Sequence, residues 1–126
     1  MKLKSIILAA TMATAATGVT AEGVKVGMIT TLSGGGAGLG IDVRDGFMLA
    51  VAQSGRDDIE VVIEDDQRKP DVAVQLSDKM IQSEKVDILT GIIWSNLAMA
   101  VVPGAVAQGK IYLSPNAGPS ALAGQA

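Results

Sequence analysis

The chain has 126 residues, of which 10 are basic and 13 acidic, and it contains no cysteine, no histidine and one each of Trp, Tyr and Phe. That composition excludes disulfides, thiol nucleophiles, imidazole bases and Cys/His metal sites within these residues. A net charge of −3 without basic runs, and too few aromatics to build a stacking platform, argue against nucleic acid or anionic lipid as a partner.

The chain opens on Met1-Lys2-Leu3-Lys4, continues through an apolar and small-residue run from Ser5 to Ala16, and reaches Val19-Thr20-Ala21 before Glu22. Basic, apolar and small-residue regions in that order predict a secretory signal peptide over 1–21, cleaved after Ala21, and hence a periplasmic protein. Thr11, Thr14, Thr17 and Gly18 dilute the stretch below what a membrane-spanning helix needs. Losing Lys2 and Lys4 with the leader takes the net charge from −3 to −5. Residues 22–126 suffice for one modest domain.

Val24 to Ile29 reads as a first strand, followed by a glycine-rich loop. From Leu39 to Gln53 a helix is expected, with Val43, Phe47, Ala50 and Val51 on its inner stripe. Ile59 to Ile63 is a second strand, closed by Glu64-Asp65-Asp66, which reads as a solvated strand end rather than a metal or acid/base site. Pro70 to Ser83 is a second helix: Pro70 suits its first turn, Asp71 its positive end, and Val72, Ala73, Leu76 and Met80 form a stripe. Val86 to Gly91 is a third strand that could extend to Ile93. Ser95 to Gln108 is a third helix, in which Pro103 predicts a kink or break. Ile111 to Leu113 is a short fourth strand, and Gly118 to Ala126 offers a helical start at best.

This β-α-β-α-β-α-β order predicts an α/β fold with one doubly wound parallel sheet, its strands covered on both faces. Such sheets bind ligands outside the carboxyl ends of the strands, which brings three loops into question together: Thr30 to Gly40 with Ser33, Trp94-Ser95-Asn96, and Ser114 to Ser120 with Asn116, Ala117 and Gly118. Ser95 and Asn96 can either cap the third helix or help bind an anion at its start, and Trp94 can stack on a ligand or simply pack. The glycines match neither the dinucleotide fingerprint nor the phosphate-binding loop, because no start places Gly at i, i+2 and i+5 and no Gly-Lys-Ser/Thr follows. No cofactor, metal site or nucleophile–base pair is expected.

At these loops the stretches VKVGMITTLSGGGAGLG, EDDQRKPDVAVQLSDKMI, VDILTGIIWSNLAMAVVP and GKIYLSPNAGPSAL occur in order between Val24 and Leu122. In them the sequence resembles the periplasmic binding proteins that serve branched-chain amino-acid ABC transporters, the type I or LIV-type family. The resemblance implies a two-lobed protein that closes on a small-molecule solute, an amino acid or an aromatic or aliphatic carboxylate, and delivers it to a permease. By position, Ser95 looks like the family's ligand-binding serine, and Ala117 and Gly118 look like its Ala-Thr pair. Gly118 lacks the threonine hydroxyl and Trp94 adds bulk, which points away from leucine or valine towards a larger or aromatic carboxylate. The resemblance also implies that 22–126 is part of a first lobe, binding weakly alone because the second lobe's contacts and closure are absent. A ligand-sensing receptor domain and an exported α/β enzyme remain alternatives.

Overall fold

A computed structural model describes residues 23–123; the leader expected over 1–21 lies outside them. The elements alternate as expected: β1 (Val24–Thr30), α1 (Ala37–Gln53), β2 (Ile59–Asp65), α2 (Pro70–Gln82), β3 (Ile88–Thr90), α3 (Ser95–Ala107) and β4 (Ile111–Leu113), then a 3₁₀ turn at Ser120–Leu122. The strands form one parallel sheet in the order β2-β1-β3-β4. β1 leads outward to β2 on one side, whereas β3 leads outward to β4 on the other. The reversal lies between β1 and β3, where the carboxyl ends of adjacent strands open a crevice.

The main core is on the face covered by α2 and α3. Ile29 and Leu89 of the sheet pack there with Ala73, Met80 and Ile81 of α2, Leu97, Ala98, Val101 and Ala105 of α3, and the preceding loop residues Val86 and Ile92. Each fully buried large side chain here contributes about 1.5–3 kcal/mol. α2 presents Ala73, Ser77, Met80 and Ile81 inward, while Val72 and Leu76 of the expected stripe are half-buried. The buried face is rotated because α2 packs on α3 as well as on the sheet.

On the opposite face, α1 covers the sheet loosely. Gly40 is its one buried residue; Val43, Phe47 and Val51 are half-buried, and Ala50, expected on the inner stripe, is exposed. A cavity of about 270 Å³ lined by Val24, Val26, Phe47, Val51 and Ile88, among others, lies between α1 and the sheet. The expectation of strands covered on both faces fails at β4, an edge strand whose Ile111 and Leu113 are 59% and 52% exposed.

Two further expectations are corrected. β2 runs two residues beyond Ile63, because Glu64 and Asp65 pair with Ile29 and Thr30 of β1, and ladder bonds do not depend on side-chain polarity. Pro103 does not break α3, which continues from Ser95 to Ala107. Pro103 and Met99, whose carbonyl it leaves without the usual partner, both lie on the exposed side of the helix, where water can take the missing donor's place.

Candidate functional site

The first loop leaves β1 at the crevice. Thr31 is fully buried, and the chain then turns outward through Gly34 (φ 69°) and Gly36 (φ 96°), left-handed conformations that glycine adopts without strain. Gly36 occupies the N-cap position of α1. A Cβ on it would lie 2.4 Å from Cζ2 of Trp94, so the indole rests directly against its backbone.

Trp94 ends the loop after β3 and is held from two sides. Its Nε1 donates to Thr31 Oγ1 (2.9 Å), and the Thr31 hydroxyl donates to Asp66 Oδ1 (2.6 Å). The Arg68 guanidinium lies over the indole, 3.9 Å from the ring centroid, and its Nη1 donates to Gly35 O at 3.4 Å. Asp66 Oδ1 also accepts Arg68 N (2.8 Å). One buried carboxylate oxygen therefore fixes the backbone of Arg68 and, through Thr31, the edge of Trp94. Gln67 and Arg68 both have left-handed backbones, at φ 52° and 59°, a conformation uncommon for residues other than glycine.

The acidic run is thus not a solvated strand end. Asp66 is fully buried, and Asp65 Oδ1 accepts the N–H groups of Leu32 and Gln67, both at 2.8 Å. β2 and β1 lie side by side, so carboxylates ending β2 meet the unpaired amides where β1 turns away. Burial acts to raise the Asp65 pKa, but hydrogen bonds from the Ser33 hydroxyl and from the N–H groups of Leu32, Gln67 and Ser33 outweigh it, holding the pKa below the ordinary value. A carboxylate depressed in this way stabilises the fold fully above the unfolded value of about 3.9 and loses that contribution as pH falls through its own lower value. The Leu32 and Gln67 amide resonances should therefore titrate together with a midpoint below pH 3.9; a midpoint above it would count against the tether. No group of three or more potential metal ligands occurs among the described residues.

Ser95 and Asn96 do not cap α3. Trp94 occupies the N-cap position with an extended backbone, and no side-chain cap bond forms. The helix begins with Ala98 N donating to Trp94 O (3.0 Å), so the N–H groups of Ser95, Asn96 and Leu97 face out of its amino end. Both side chains are exposed. The loop after β4 leans back towards this end, where Asn116 Nδ2 donates to Ile93 O (2.9 Å) and the Ser114 hydroxyl donates to Ala117 O. Ala117 is buried; Gly118 is exposed, with open space where a Cβ would point. A larger apolar cavity of about 450 Å³ lies beyond α3 and β4, lined by Val102, Val106, Ile111 and Tyr112, among others. It lies at the uncovered sheet edge, and Ser114, Ala117 and Gly118 of the β4 loop also line it. Burial there pushes the Tyr112 hydroxyl up to about 12.

Residues 23–126 match the sequence model of the periplasmic binding protein family. The chain belongs to that family. Among solved structures it is similar to an ABC transporter substrate-binding protein from Sphaerobacter thermophilus, at 31% identity and TM-score 0.75 over 79% of this chain and 28% of that one. It is also similar to an ABC-transporter solute-binding protein from R. palustris in complex with benzoate, at 38% identity and TM-score 0.74 over 79% and 29%. The branched-chain amino acid transporter substrate-binding protein LivJ from Streptococcus pneumoniae, in complex with isoleucine, shares 27% identity with TM-score 0.73 over 79% and 30%. The chain thus spans less than a third of the length of these relatives. No similar chain is found among curated protein sequences.

In this member of the family the three loops expected to form the site are joined pairwise, the β3 loop lying between the other two. Trp94 contacts the first loop, and Asn116 ties the β4 loop to the end of the β3 segment. The Ser33 hydroxyl is engaged with Asp65. Thr31 and Arg68 were not expected among the site residues, and Asp66 was expected only as part of a solvated strand end. The available signal for Arg68 was its place just beyond the carboxyl end of a parallel strand, the edge where these sheets bind ligands.

Proposed function

We propose that this chain belongs to an extracytoplasmic receptor that captures a small carboxylate, an aromatic acid in preference to leucine or valine, and hands it to an ABC-transporter permease. Export by a leader over 1–21 is part of the proposal. The observation that carries it is the open amino end of α3: three N–H groups without intrahelical partners, and exposed Ser95 and Asn96, at the reversal point between β1 and β3. That end carries a partial positive charge suited to a carboxylate. Trp94 forms one wall beside it, and Gly118 leaves open the space that a threonine would fill. The relative bound to benzoate shares 38% identity with this chain, and the relative bound to isoleucine shares 27%.

The test is thermal unfolding with a panel of benzoate, hydroxybenzoates, leucine, valine and isoleucine at millimolar concentration. Benzoate should raise the midpoint by mass action, more than the aliphatic amino acids do. Ser95→Ala should shrink that rise, since losing one hydrogen bond to a charged group costs about 1.5–3 kcal/mol. If no carboxylate moves the midpoint, the reading fails; if leucine moves it most, the preference for an aromatic acid fails.

A further inference from the structure

We infer that Arg68 sets the charge selectivity of this cleft, so that it takes a solute of net negative charge over a zwitterionic amino acid. The inference rests on the solute-binding reading above. Among the described residues Lys25, Arg44, Arg56 and Lys79 each pair with a carboxylate, whereas Arg68, Lys69, Lys85 and Lys110 do not, and of these four Arg68 is the one that lies over Trp94. Carboxylates are close by, since Asp65 and Asp66 stand three and two positions before it in the chain. Both are occupied elsewhere: Asp65 by the Leu32 and Gln67 amides, Asp66 by the Thr31 hydroxyl and by the backbone of Arg68 itself. The carboxylates nearest in sequence to the guanidinium position the loop that carries it.

The attraction between the cation and the indole face holds Arg68 in place without cancelling its charge. A guanidinium held over a ring by one face keeps its N–H donors in the plane at its edge, the geometry that meets a carboxylate with two parallel bonds. Among the described residues only Nη1 of the guanidinium has an acceptor, the Gly35 carbonyl at a long 3.4 Å. Thr31 to Gly36, Trp94 to Asn96 and Ser114 to Ser120 contain no acidic residue, so these loops offer an ammonium neutral oxygen acceptors and no carboxylate. A positive charge beside the partly positive end of α3, with Asp65 and Asp66 turned to the backbone and hydroxyl donors of Leu32, Gln67, Thr31 and Arg68, favours an anion over the amino group of a zwitterion.

The experiment follows the single tryptophan's indole N–H resonance in the ¹⁵N-labelled chain during titration with benzoate, benzamide and phenylalanine. Benzoate and benzamide share ring and size and differ in charge. Benzoate should bind at least about tenfold more tightly than benzamide or phenylalanine, the scale of one charge-assisted hydrogen bond. Arg68→Gln should collapse the benzoate-to-benzamide ratio towards one, and Arg68→Lys should restore most of it. Because the readout is a ratio, a general loosening of the loop does not mimic the result. If benzoate still binds Arg68→Gln with the ratio unchanged, the role of Arg68 is overturned while the solute-binding reading stands. If phenylalanine matches benzoate in the unsubstituted chain, charge selectivity is overturned and carboxylate binding survives. If benzoate leaves the indole resonance unmoved, the aromatic-acid reading fails and takes this inference with it.

Discussion

Gly40→Ala is expected to destabilise the protein by about 3 kcal/mol, the upper end for overpacking, although the same exchange in an open helical position stabilises by about 0.5–1 kcal/mol. The first turns of α1 approach β1 backbone to backbone. A Cβ on Gly40 would lie 1.9 Å from Thr31 O and 2.7 Å from Thr31 C. A carbonyl in the main chain cannot rotate aside as a side chain can, so either α1 retreats by more than an ångström or the β1 end is displaced. Both routes disturb Thr31, and with it the bond that locates Trp94. The same helix supplies the control. Gly46 is exposed and a Cβ there meets nothing within 4 Å, so Gly46→Ala should raise stability by about 0.5–1 kcal/mol. Denaturant unfolding of the two variants should shift the midpoint in opposite directions. If Gly40→Ala unfolds like Gly46→Ala, α1 does not approach β1 this closely.

The order of elements and the parallel sheet were legible because both depend on local pattern. Apolar runs such as Ile59-Glu60-Val61-Val62-Ile63 and the Pro70-Asp71 helix start are short-range signals, and alternating strands and helices leave few topologies open. Strand ends were less legible. Glu64 and Asp65 look like a stop in sequence, yet they extend β2 because β1 offers ladder partners. Helix faces shifted for a similar reason: α2 turns Ser77 and Ile81 inward to meet α3, a contact that periodicity within α2 does not encode.

The three loops were legible as a group, since each follows a parallel strand. What joins them was not. Thr31 and Asp66 are 35 positions apart and Thr31 and Trp94 are 63 apart; they meet only because the sheet order puts β2 and β3 on either side of β1. Ser95 and Asn96 suit both a cap and an anion contact by residue type, and the structure shows neither side chain making a cap bond. The backbone becomes helical at Ser95, so the preceding Trp94 takes the cap position and Ser95 is the exposed first residue of the helix. A residue type that suits two roles is assigned by a register of one residue, which composition does not resolve.

That network makes Asp66 the side chain whose loss should reach furthest. Asp66→Ala is expected to cost about 3 kcal/mol, from two hydrogen bonds to a charged acceptor discounted for partial relaxation. It would leave the buried Thr31 hydroxyl without its acceptor and Arg68 N, in a left-handed conformation, without the bond that holds it there. Asp66→Asn should cost less, about 1 kcal/mol, because Oδ1 can still accept while the amide nitrogen replaces Oδ2, which has no hydrogen-bond partner. Stability alone does not separate a core anchor from an anchor of the site, but Trp94 does. As the chain's one tryptophan it reports its own surroundings. Under native conditions Asp66→Ala should shift its emission to longer wavelength as the indole loses Thr31 and gains water. Thr31→Val, which removes the hydroxyl link but keeps Asp66 and its bond to Arg68 N, should reproduce the emission shift with a smaller loss of stability. If Asp66→Ala costs under about 1 kcal/mol and leaves Trp94 emission unchanged, the buried carboxylate does not hold the cleft. If it costs the full amount and Thr31→Val leaves the emission unchanged, Asp66 anchors the turn at Arg68 but does not position Trp94.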